Sequence, residues 1–93
     1  MPVEIRFMNP RRLKRNERRM VTRELKAKLV DRLAERVGLP SHQLSVLKAD
    51  DGRIRAMTVT GTKFDFTPVE EQAIVDAIEW EKSGAGEGPK LPL

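Results

Sequence analysis

This 93-residue sequence predicts an α+β fold. The expected domain has two layers, a three- to four-stranded antiparallel sheet with two helices on one face, in the order β-α-β-β-β-α. Three observations carry that expectation. Val21, Leu25, Leu29, Leu33 and Val37 recur every four residues, the spacing of an amphipathic helix. Strand-like runs at 44–49, 53–60 and 63–66 follow, separated by the turn sequence Asp50-Asp51-Gly52 and by Gly61. Thr67-Pro68-Val69-Glu70 then has capping-box spacing with proline at the first helical position, which opens a second helix.

Taken in chain order, Val3, Ile5 and Phe7 alternate with Glu4 and Arg6, so a strand is expected over 3–8. Asn9-Pro10 reads as a helix start, and the helical pattern continues to Val37, with Gly38 as its C-cap and Pro40 as a stop. Thr22 is an alternative cap for a shorter helix beginning at Arg23. In the middle strand Ile54, Ala56, Thr58 and Thr60 share one face, and Arg55, Met57 and Val59 share the other, so the alternation leaves its core face open. Phe64 and Phe66 lie on one face and are expected in the core, as is Trp80. The second helix should run to about Lys82, with Val69, Ala73, Ala77 and Trp80 along one edge of its apolar face and Ile74 and Ile78 along the other. Glu70 and Glu71 suit the positive end of that helix. Residues 1–82 thus read as one domain, with a basic helical extension at 10–20, and the Gly- and Pro-containing stretch 83–93 reads as a flexible tail.

Composition excludes several classes of function. There is no cysteine, hence no disulfide framework and no thiolate metal site. His42 is the single histidine, too few for a zinc centre, and Asp50 and Asp51 are explained by a hairpin turn. No serine and histidine stand in a nucleophile pattern. Gly84, Gly86 and Gly88 follow a helix instead of preceding one, so they make no phosphate cradle. Glu70, Glu71, Asp76, Glu79 and Glu81 read as an acidic helix flank rather than a catalytic pair. The expectation is therefore a protein that is not an enzyme and needs no cofactor or metal. No apolar run is long enough to span a membrane, and Met1 to Phe7 has no signal core, so a cytoplasmic setting without membrane contact is expected.

The positive information is electrostatic. Residues 1–40 hold 12 basic and 5 acidic side chains, whereas residues 41–93 hold 6 basic and 9 acidic ones. Six cations fall within residues 11–19, five of them arginine, and Leu13 is the sole apolar side chain there. Spread around a helix they leave no face to bury, so this segment should project from the domain or stay disordered until it meets a partner. Arginine's planar fork bonds phosphate in pairs of hydrogen bonds and stacks on bases, and arginine-rich segments that fold on contact are a recurrent way to grip RNA. The expected function is nucleic-acid binding, RNA favoured slightly over DNA, through Arg11, Arg12, Lys14, Arg15, Arg18, Arg19, Arg23, Lys26 and Lys28, with Arg32 and Arg36 extending the footprint. The alternative is a small adaptor or inhibitor whose basic arm docks on an acidic surface of a larger protein complex. Lower in the same helix Glu24 and Lys28 form one favourable i,i+4 pair, beside the like pairs Asp31–Glu35 and Arg32–Arg36. A domain this small, with few aromatic residues, also gains core by pairing as a homodimer.

From Val21 to Lys82 the order α-β-β-β-α resembles that of the double-stranded-RNA-binding domain, in order and approximate length. Glu70-Glu71 opens the second helix where that family presents lysines to phosphate. The resemblance therefore implies the architecture, and binding is expected through the first helix and its basic extension instead of in that family's mode.

Overall fold

The structure is a computed structural model that describes residues 13–84. The expected strand at 3–8, the Asn9-Pro10 helix start, and the tail beyond Gly84 lie outside the described residues. The observed order is α1 (Arg15–Val37), a short 3-10 turn (Ser41–Gln43), β1 (Leu44–Lys48), β2 (Ile54–Thr58), β3 (Lys63–Asp65) and α2 (Pro68–Ser83). The α+β class is as expected, with a three-stranded antiparallel sheet and two helices, but the described chain opens on a helix and not on a strand.

The strands are one to three residues shorter than expected, and the start of α1 differs from the sequence expectation for a local reason. A helix continuous from Pro10 is ruled out, because Lys14 is extended, with φ −74° and ψ 164°. Glu17 stops the helix from extending backward: its carboxylate accepts the Lys14 backbone N–H at 2.8 Å, which ties off a donor that would otherwise be orphaned at the helix start. Thr22 is not a cap either. It lies inside α1, 1% exposed, and its hydroxyl donates to the Ala77 carbonyl of α2 at 3.2 Å. Gly38 closes α1 as expected, its N–H donating to the Ala34 carbonyl at 2.8 Å.

The sheet order is β1-β2-β3. Leu44 pairs with Thr58 and Lys48 with Ile54; Arg55 pairs with Asp65 and Met57 with Lys63. The first hairpin closes where the Gly52 N–H donates to the Ala49 carbonyl at 2.9 Å. Gly52 adopts φ 84° there, a conformation costly for a residue with a Cβ. Burial settles the core face that alternation left open. Leu44, Ile54, Ala56 and Thr58 are buried, while Ser45, Leu47, Arg55 and Met57 turn to the other side. On that outer side Arg55 bridges Asp51 at 3.1 Å and Asp65 at 2.8 Å.

Both helices cover the inner face, and one core joins Leu25, Leu29 and Leu33 of α1 to Ile54, Ala56 and Phe66 and to Ile74 and Ala77 of α2. Leu29, Ala56, Ile74 and Ala77 have no exposed surface. Phe64 is only partly buried against this cluster. On α2 the expected apolar edge begins one turn late. Val69 is 64% exposed, and Glu70 beside it is 4% exposed. The Trp80 ring is buried as expected, and its indole N–H has no hydrogen-bond partner among the described residues.

Glu70 can be buried because both of its carboxylate oxygens accept hydrogen bonds. Arg36 near the end of α1 donates to both carboxylate oxygens, at 2.9 and 2.8 Å, and the Thr67 N–H adds a third bond at 3.1 Å. The Thr67 hydroxyl in turn accepts the Glu70 N–H at 3.1 Å, completing the capping box. Next to it Glu71 accepts the Ile54 N–H at 2.9 Å and pairs with Arg53 at 3.1 Å, fixing the start of β2 to α2. The two glutamates therefore do more than complement the helix dipole. Arg36, expected to extend a binding footprint, pairs with Glu70 while 40% of its side chain stays exposed.

The paired Arg36 guanidinium holds the Glu70 carboxyl below the usual carboxylate range, against burial, which pushes it up, and with help from the Thr67 N–H. A carboxyl depressed in this way contributes its stability in full above its unfolded pKa and loses it as pH falls through the folded value. The melting temperature is expected to fall as pH is taken from about 6 to about 3, and Glu70→Gln to flatten part of that fall. Arg36→Met leaves a buried carboxylate unpaired and should cost about 2–3 kcal/mol at pH 7, read by urea unfolding; the range allows for the solvent that reaches Arg36.

Candidate nucleic-acid interface

The contacts between α1 and α2 set which cations face outward. Arg36 at the end of α1 meets Glu70 at the start of α2, Thr22 meets Ala77, and Arg18 at the start of α1 meets Glu81 at the end of α2. The helices are thus antiparallel. The buried row Thr22, Leu25, Leu29, Leu33 continues in both directions at helical spacing, and both continuations are arginines, Arg18 and Arg36.

Arg18 was expected at the phosphates, within a segment with no face to bury. It is instead half-buried, with Nε donating to the Glu81 carbonyl at 3.1 Å and Nη1 to the Leu13 carbonyl at 2.8 Å. A cation at the carbonyl end of α2 also suits that helix's dipole. Gly84 caps α2 with φ 71°, its N–H donating to the Trp80 carbonyl at 2.7 Å. A Cβ at Gly84 would lie 3.2 Å from Arg18 Cζ, so the absence of a side chain makes room for the guanidinium. The described part of the basic segment is therefore held to the body by one of its own cations.

With Arg18 turned inward, the other cations sort by flank. Arg15, Arg19 and Arg23 follow one another at four-residue spacing and Lys26 comes three later, so they form one stripe about 16 Å long at about 1.5 Å per residue. Arg15, Arg19 and Arg23 are exposed and Lys26 is partly so. Arg19 approaches Glu81 at 4.0 Å while 69% of its side chain stays exposed, too loose and too wet to hold it. Arg15, Arg23 and Lys26 make no ion pair within the described residues. Lys14 sits exposed just before the stripe, at the helix N-cap. Lys28 falls on the other side of α1, beside Glu24 and Asp31 in helical neighbour positions, and the expected Glu24–Lys28 pair does not close. Arg32 is partly buried and its charge acts on Glu70. Arg11 and Arg12 lie outside the described residues.

Among the described residues no group of three or more His, Asp or Glu side chains could hold a metal ion, and no helix is long and apolar enough to cross a membrane. The arrangement is a row of exposed, permanently charged donors along one side of a helix.

The division of labour on α1 has a direct test. Arg18→Leu should lower the melting temperature, since the carbonyls of Leu13 and Glu81 lose their donor. Arg15→Gln and Arg23→Gln should leave the melting temperature unchanged or raise it slightly, because each relieves a like-charge i,i+4 contact worth a few tenths of a kcal/mol. Differential scanning calorimetry of the three variants separates the two classes.

In comparisons with protein-family models, with curated proteins and with solved structures, the chain matches none.

Proposed function

We propose that this protein binds nucleic acid in the cytoplasm through the exposed flank of α1, gripping phosphates with Arg15, Arg19, Arg23 and Lys26. The supporting observation is the uninterrupted basic row on one side of a helix whose Arg18 and Arg36 are engaged within the fold. Lys14 adds a fifth cation at the row's leading end, and Arg11 and Arg12 precede it in sequence. Affinity from such a row comes from neutralising phosphates and releasing their counterions. RNA is favoured over DNA because guanidinium groups both bridge phosphates and stack on exposed bases. Contact is one-sided, since the opposite flank of α1 carries carboxylates.

Filter binding with single-stranded RNA, duplex RNA and duplex DNA at two salt concentrations tests this reading. Four to five phosphate contacts predict a slope near −4 on duplex, so affinity should fall at least about a hundredfold between 50 and 200 mM salt. Arg15→Gln, Arg19→Gln and Arg23→Gln combined should weaken binding to all three ligands and bring the slope to between about −1 and −2. Affinity untouched by the triple substitution would remove the proposal. Retention of an acidic protein after nuclease treatment, with no nucleic-acid binding, would support the adaptor reading instead.

A further inference from the structure

The basic row is half of the surface pattern of α1. Glu17, Glu24 and Asp31 recur every seven residues and Glu35 follows four after Asp31, so carboxylates line the flank turned away from Arg15, Arg19 and Arg23. All four are exposed. Glu17 accepts the Lys14 N–H, whereas Glu24, Asp31 and Glu35 make no hydrogen bond or ion pair within the described residues. A helix serving only its own stability would mix the signs to make i,i+4 pairs; here, apart from Lys28 beside Glu24 and Asp31, they are segregated, and the acidic flank keeps four carboxylates to that one exposed cation. Apolar surface accompanies the acidic flank. Met20 is 60% exposed, and with Leu13 and Val21 it lines a shallow cleft of about 200 Å³ rimmed by Glu17 and Glu24.

We propose that the acidic flank of α1 docks the basic flank of α1 in a second copy of this chain. Complementary charge argues for that occupant: the Glu17–Asp31 line is about 21 Å long and the Arg15–Lys26 line about 16 Å, at about 1.5 Å per residue. Both lines run along the same straight element, so the copies can align helix against helix, with the Met20 cleft at the contact. The two patches differ, which makes the contact heterologous: each copy offers one of each and assembly proceeds head to tail. A single helix flank buries little area and its charges stay near water, so the association belongs to the weak, salt-sensitive class. Phosphate and a neighbouring copy would compete for the same arginines. The docking itself does not rest on nucleic-acid binding, because it is measured without nucleic acid.

Sedimentation velocity on the full, nuclease-treated chain provides the test. At about 50 mM salt the weight-average mass should exceed the monomer and rise with concentration without a plateau at the dimer, and at about 500 mM it should return to the monomer. Glu24→Gln with Asp31→Asn removes one flank, and Arg19→Gln with Arg23→Gln removes the other; circular dichroism verifies that both variants are folded. Each variant alone should be monomeric at low salt. Their equimolar mixture should form a 1:1 heterodimer and nothing larger, because each retains only one working flank. Wild-type protein that stays monomeric at low salt, a variant that assembles alone like wild type, or a mixture that stays monomeric would each overturn the proposal.

Discussion

The fold depends on two arginines placed at opposite ends of one buried helical row. Arg36 holds Glu70 with two hydrogen bonds at the start of α2, and Arg18 holds the Glu81 carbonyl at its end. Between them Thr22 bonds the Ala77 carbonyl, and Leu25, Leu29 and Leu33 enter the core. These ties fix α1 against α2 in one antiparallel register. Polar groups of this kind specify more than they stabilise: an arginine and a buried carboxylate have few alternative partners, whereas leucine packs acceptably in several registers. Glu71 extends the same logic to the sheet, since its bond to the Ile54 N–H sets where β2 begins against α2.

That register decides the surface. With Thr22, Leu25, Leu29 and Leu33 turned inward, a helix leaves two flanks and an outer edge. Arg15, Arg19 and Arg23 fall on one flank, and Glu17, Glu24 and Asp31 fall on the other. Rotating α1 by one position would turn charges of one flank into the core and bring apolar residues of the buried row to the surface. The separation of the two flanks is set by sequence spacing, and their joint exposure by tertiary packing.

The sequence made the framework legible because the signals were local. The four-spaced row in α1, the Asp-Gly turn and the Thr67 capping box each depend on residues within one or two turns of each other, and each is found where expected. The core face of β2 was not legible: Ile54, Ala56 and Thr58 differ little in hydrophobicity from Met57 and Val59, and only the helices above the sheet break that tie. The inward turn of Arg18 was not legible for a related reason. Its identity is that of a surface cation, and the acceptors that draw it inward are carbonyls, at Leu13 and Glu81, which no composition reveals. Its phase did carry a signal, being one helical step ahead of Thr22 on the buried row. The same holds for Arg36 and for Glu70, whose burial displaced Val69 from the expected apolar edge.

We propose that α1 divides its arginines between the fold and a phosphate partner. Heteronuclear NMR of the arginine Nε–Hε groups reads that division directly. In the free protein the Nε–Hε signal of Arg18 should be protected from solvent exchange, while those of Arg15, Arg19 and Arg23 should exchange fast. On titration with a short single-stranded RNA, Arg15, Arg19 and Arg23 should shift and gain protection while Arg18 stays in place. Unmoved signals at Arg15, Arg19 and Arg23, or an Arg18 that exchanges freely before RNA is added and shifts with it, would contradict the account.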